Sequence, residues 1–233
     1  MIDQSNAYYA PASVSALGTQ ARAAFIQKTY LHLFGAILAF TLVELALFAS
    51  GLAYPIARAM LGVTWLLVLG GFVVAGWLFS SLAHRAQTLP AQYAALAGYV
   101  VAQAIIFVPL LVLADLTAPG AIQSAALATL LGFTGLTAVV VTTRKDFSFL
   151  GGILRWGFVV ALVLIVCGVI FGFQLGTFFS VAMIALAGGA ILYDTSNVLH
   201  HYPEDRYVGA ALSLFASVAL MFWYVLRLFM SRD

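Results

Sequence analysis

The chain has 233 residues, of which 64% are hydrophobic and 8% charged, with a formal net charge of +2. Soluble domains carry roughly 25% charged residues, and a charge this small and scattered gives no footprint for nucleic acid. Seven apolar stretches fill almost the whole sequence, which excludes a water-soluble fold and predicts an all-α polytopic membrane protein with seven transmembrane helices.

A hydrocarbon core about 30 Å thick takes about 20 apolar residues per helix. The runs are continuous and lack the alternation, at roughly ten-residue spacing, of an outer-membrane barrel. Residues 1–28 are polar and small, with no short apolar core ending in a cleavage site. The first span therefore reads as an uncleaved anchor, and residues 1–28 as a polar cytoplasmic tail. Residues 29–230 form one transmembrane domain and 231–233 its C-terminal end. The predicted spans are Tyr30–Gly51, Arg58–Leu82, Tyr93–Ala114, Gly120–Thr142, Phe149–Phe173, Thr177–Leu199 and Val208–Met230. The breaks between them carry turn chemistry at Gly51 to Pro55, Pro90, Pro119-Gly120, Phe173 to Gly176 and Pro203. Cys167 is the single cysteine, so no internal disulfide forms.

Counting Lys and Arg orients the chain. With the N-terminus in the cytoplasm, Arg22, Lys28, Arg85, Arg144, Lys145, Arg155 and Arg206 fall inside, and Arg58, Arg227 and Arg232 outside. The two arginines at the C-terminal end would also fall inside if the last stretch turned back instead of crossing. Small residues let helix backbones approach in lipid. The seventh span places Gly209, Ser213 and Ser217 on one face, and the sixth places Ala185 and Gly189 likewise. Both helices are expected in the interior, the seventh at its centre.

Two acids lie well inside apolar runs, Glu44 and Asp194. An acid at mid-bilayer costs roughly 2.5–3.5 kcal/mol on insertion scales, so each needs a reason. Asp194 falls in the cytoplasmic third, near Ser213 and Ser217 if the last two helices pair. Either it is interfacial, capping or snorkelling, or it is a buried carboxylate whose protonation or pairing changes helix packing. Arg85, after the second span, is the natural partner. For Glu44 the readings are a hydrogen bond across to another helix or a place in a polar pathway. His32 reads as interfacial. His200, His201, Glu204 and Asp205 cluster in the last loop, but adjacent histidines on a regular helix do not face one ion, and a solvated loop is the plainer reading.

Several classes drop out. The only lysines are Lys28 and Lys145, so no retinal Schiff base forms in the last span. An intramembrane aspartyl protease needs a second aspartate sharing a proton with the first, and no other span has one in its interior. No phosphate-cradling glycine loop or metal box is present. The expectation is a protein with no catalytic residues, no metal and no cofactor.

The stretch Ala190-Ile191-Leu192-Tyr193-Asp194-Thr195-Ser196-Asn197-Val198-Leu199-His200, followed by Tyr207 and Ala211-Leu212-Ser213-Leu214-Phe215, resembles the signature of the Bax inhibitor family (transmembrane Bax inhibitor motif proteins). Thr142 to Gly152 looks like the loop and fifth-helix start of its bacterial YccA-like branch, and Ser231-Arg232-Asp233 is similar to that branch too. The tail and first three spans match in hydropathy and a few residues. The resemblance implies seven helices, the last in the centre with the other six around it. It also implies a gating and pH-sensing site. In the best-described bacterial relatives two aspartates share a proton and gate a calcium leak, with an arginine latched to one. Asp194 takes the first position, Ser217 stands at the second, and Arg85 lies near the latch. A lone carboxylate facing a serine lacks the repulsion that makes a proton switch, and offers a poorer site to a divalent ion that prefers several oxygens. The YccA-like branch is associated with the membrane protease FtsH, as substrate and brake. The expected partners are thus the lipid bilayer of the bacterial inner membrane, an FtsH-type protease using residues 1–28 as a handle, or a calcium-like cation passing near Asp194.

Overall fold

Leucine-, valine- and alanine-rich runs in lipid satisfy their backbone polar groups only within helices, and the helices follow the predicted order closely. The computed structural model describes residues 13–63, 65–86 and 88–231. The helices are α1 (Thr19–Ala49), α2 (Ala53–Leu61), α3 (Trp65–Arg85), α4 (Leu89–Thr117), α5 (Ala121–Thr143), α6 (Leu150–Phe171), α7 (Gly176–His200) and α8 (Tyr207–Met230). Among the described residues there is no strand, only one antiparallel bridge between Ser13 and Pro203. By length and composition α1 and α4 to α8 can each cross a bilayer, and α3 runs for 21 residues with an apolar described stretch Val73–Ala83.

Two boundaries differ from the sequence reading. The first helix begins at Thr19, not Tyr30, because a helix runs on through polar residues whenever one face still has something to pack against. Phe25 and Thr29 are that face, and both are buried. The second predicted span, Arg58–Leu82, is split. Gly51, at a positive φ of 76°, turns the chain after α1, and α2 then ends at Gly62, whose N–H donates to the Arg58 carbonyl at 3.0 Å. The buried residues of α2, Ala53 and Ala57, pack with Val108 and Val112 of α4.

α8 is the hub: it packs against α1, α3, α4, α5 and α7, and 72% of its most apolar window is buried. It is one unbroken helix of 24 residues, about 36 Å at 1.5 Å per residue, so it does not turn back. Aromatic rings seal it to its neighbours: Phe107 stacks on Phe222 at 5.6 Å and meets Trp223 edge-on, and Phe215 meets Phe40 and Tyr99. α4 is the second most enclosed helix, which its sequence did not announce. The expected ring of six is also incomplete. α6 packs on α7 and touches α3, but its backbone stands off from α8, leaving a cavity between them.

The start of the described chain is pinned at the tail-side end, where α1 begins and α7 gives way to α8. The Val14 N–H donates to the Tyr202 carbonyl at 2.9 Å, and the Val14 side chain is fully buried. Of the proposed tail, residues 1–12 lie outside the described residues. At Gly209 a Cβ would sit 3.2 Å from the Ala83 carbonyl oxygen of α3, whereas at Gly135 of α5 it would meet nothing within 4 Å. Forcing bulk into a close contact typically costs about 1–3 kcal/mol. Gly209→Leu is therefore expected to lower stability by about that amount in detergent unfolding, with Gly135→Leu near neutral.

Candidate functional site

Asp194 sits in the last two turns of α7, whose buried face carries Ala187, Ile191 and Val198 toward the core. This geometry turns the carboxylate to α8. The Ser217 hydroxyl donates to Asp194 Oδ2 at 2.6 Å. One turn earlier on α8, Ser213 Oγ lies 3.0 Å from the Tyr202 hydroxyl. From α4, Gln103 Nε2 donates to the Tyr99 hydroxyl at 2.7 Å. Asp194, Ser213, Ser217, Tyr99 and Gln103 all line one cavity of about 1160 Å³ between α3, α4, α6, α7 and α8. Its wall follows α8 from Leu212 to Ser231, roughly 28 Å of helix. Arg155 and Arg227 line it as well. The combination is a partly polar cavity beside the central helix, with the Asp194–Ser217 contact near its tail-side end.

The sequence placed Asp194, Ser213 and Ser217 together: all three line the cavity, Ser217 bonds Asp194, and Ser213 faces Tyr202 instead. Arg85 does not join them. It is exposed at the end of α3, and among the described residues the ion pairs are Arg206 with Asp205 and His201 with Asp146. The α3–α4 connection is tied instead by Arg206, whose guanidinium donates to the Ala86 carbonyl, and by Gln92, whose amide reaches the carbonyls of Ala86 and Asp205. A guanidinium reaches whatever acceptor lies within its fork, and loop geometry decides which one that is. Nor does Glu44 make the expected hydrogen bond to another helix: it is buried, and among the described residues neither of its oxygens has a partner. His32 bonds the Lys28 carbonyl and the Tyr93 hydroxyl.

Tyr99, Gln103, Arg155 and Arg227 were missed by the sequence reading. Gln103 left a usable signal, an amide in the middle of an apolar run that needs a partner there. The last-loop histidines diverge: His200 Nδ1 donates to the Ser196 carbonyl at 3.0 Å, while His201 Nε2 lies 2.9 Å from Asp146 Oδ2. Asp146 also accepts from the Ser148 N–H at 2.8 Å and the Ser196 hydroxyl at 3.2 Å. The result is a clip holding the α5–α6 loop to the end of α7. The Ser148 N–H foremost, with His201 after it, holds the Asp146 carboxyl down to about 2. A depressed folded value stabilises the clip above the ordinary carboxylate range, and the benefit fades as pH falls through about 2. Asp146→Ala is expected to open this loop to protease at neutral pH, where the parent resists; equal cleavage would show that the clip holds nothing. Beside Ser213, burial, and after it the Asp194 charge, pushes the Tyr202 phenol up.

An all-α bundle of apolar helices around a hub helix, with a partly polar cavity beside it, defines a polytopic membrane protein. The particular family follows from comparison: the model of the family "Inhibitor of apoptosis-promoting Bax1" matches residues 22–233, and the chain belongs to it. The chain is similar to the "Modulator of FtsH protease YccA" of Escherichia coli, 41% identical over 108 residues, covering 45% of this chain and 49% of that protein. It is also similar to an uncharacterized protein of Pseudomonas aeruginosa, 39% identical over 111 residues, covering 46% and 49%. A "Golgi anti-apoptotic protein" of vaccinia virus is 24% identical over 221 residues, covering 93% of this chain and 89% of the viral one. The chain spans about half the length of the bacterial relatives it matches.

Proposed function

We propose that this protein is a bacterial inner-membrane modulator of an FtsH-type membrane protease, and a substrate of it, acting without catalytic chemistry of its own. The observation that carries this reading is the 41% identity to a protein named for that modulation. The pinned segment at Val14 supports it, because it holds the start of the described chain at the same end of the bundle as the α7–α8 loop. Turnover of the chain in cells with and without the residues ahead of α1 tests it, and unchanged turnover counts against it.

A second reading, a pH-sensitive cation leak, is favoured by one observation: the cavity along α8 with Asp194 on its wall. Asp194 has Ser217 as its hydrogen-bond partner, and a lone carboxylate with a serine is a weak site for a divalent ion that prefers six or more oxygens. Any cation passing here keeps most of its own water. Ion flux in proteoliposomes, comparing the parent with Asp194→Asn, tests it. Equal flux in both, or none, removes this reading.

A further inference from the structure

A second cavity, of about 440 Å³, lies on the opposite side of α8, walled by α1, α4, α5 and α8 toward the end remote from the tail. Glu44 and Thr129 line it. Glu44 is 6% exposed and Thr129 2%. Among the described residues, neither carboxylate oxygen of Glu44 nor the Thr129 hydroxyl has a hydrogen-bond partner. Buried polar groups are nearly always paired, and an unpaired carboxylate away from water is costly. Here an acceptor pair and a hydroxyl on two different helices wait at one pocket.

The walls say what suits it. The pocket is of ligand size and largely apolar, with Phe40 and Phe222 among its lining, and no Lys, Arg or His is among the described residues that line it. An anion therefore finds nothing to balance it, and neither does the phosphate of a phospholipid headgroup. A hard divalent cation wants six or more oxygens; Thr41, Asp115 and Gln123 also line the pocket but are exposed, so its buried oxygens come to one carboxylate and a hydroxyl. A primary ammonium fits: it offers three donors, makes charge-assisted bonds to a carboxylate, and brings an apolar body for the aromatic wall. Asp115, exposed at the rim and held by the Tyr54 hydroxyl at 3.4 Å, adds negative charge where such a group enters. The way in is lateral. The backbones of α1 and α5 do not contact each other among the described residues, and Leu45 and Leu130, one on each helix, line the pocket and are exposed.

We infer that this pocket binds a membrane-partitioned primary amine, with its ammonium on Glu44 and Thr129 and its apolar body between α1 and α5. The test uses the full chain in phosphatidylcholine nanodiscs, titrated with decylamine, with decanol at the same mole fraction, with lysophosphatidylethanolamine and with calcium, and followed by thermal unfolding. Decylamine should raise the unfolding temperature of the parent, while decanol, lysophosphatidylethanolamine and calcium should not. Glu44→Gln should weaken decylamine binding about tenfold or more, the scale of one charge-assisted bond, with a smaller loss in Thr129→Val. Equal stabilisation by decanol would overturn the proposal, as would stronger stabilisation by lysophosphatidylethanolamine or calcium than by decylamine, or undiminished binding in Glu44→Gln. Should Glu44→Gln not fold, Thr129→Val and the pocket-filling Ala126→Leu decide, and unchanged amine binding in both overturns it.

Discussion

On the function proposed above, removing residues 1–18 should lengthen the half-life of this protein in cells several-fold and abolish any braking of an FtsH-type protease. A processive membrane protease needs an unfolded stretch to begin on, and chain termini are where such stretches concentrate. α1 starts at Thr19, so the deletion spares every membrane helix. The pinned segment gives the test an opposite arm. Val14 is fully buried, and its N–H holds the Tyr202 carbonyl. Val14→Asp places a charge where a methyl group packed, which should release the segment from the α7–α8 loop. Its half-life should therefore shorten several-fold, since small changes in local stability alter abundance on that scale. Pulse-chase labelling reads both variants. Equal half-lives for the deletion, the point variant and the parent would remove the handle from the mechanism.

The second large effect concerns Ser217→Asp. Its side chain would come to the place where the Ser217 hydroxyl now meets Asp194 at 2.6 Å. Two carboxylates at such range do not both ionise, and the pair titrates in steps of its own. Any cation flux through the cavity should then change with pH in this variant, over roughly two pH units for one coupled proton, while the parent profile stays shallow. Asp194→Asn on the Ser217→Asp background breaks the pair and should flatten the profile again. Flux in proteoliposomes at several pH values decides it. A profile for Ser217→Asp as flat as the parent's would refute the coupling.

Much of the bundle was legible before any coordinates. The all-α membrane class, the interior position of the last helix and the meeting of Asp194 with the Ser213–Ser217 face all followed from hydropathy, small-residue spacing and family resemblance. The first two come from properties that add along the chain: transfer free energy per residue, and which residues share a helical face. The misses have a common cause. Thr19 rather than Tyr30 begins α1 because Phe25 and Thr29 have a helix to pack on, and hydropathy stops counting where polar residues appear. Side, charge and a loose match to the family's latch position pair Arg85 with Asp194, whereas the loop geometry leaves it exposed and has Arg206 hold the Ala86 carbonyl.

By itself, then, the chain determined its solvent, its helices and which helix the others gather on, because internal satisfaction of the backbone in lipid leaves helices or closed barrels and continuous apolar runs fit only helices. Only the tertiary structure decided which polar groups find partners. It gave Asp194 a serine, joined Asp146 to His201 across 55 positions of sequence, drew α6 away from α8 to open the main cavity, and left Glu44 with none. Those outcomes turn on separations of a few ångströms between helices remote in sequence, and no property of a residue and its neighbours along the chain encodes such distances.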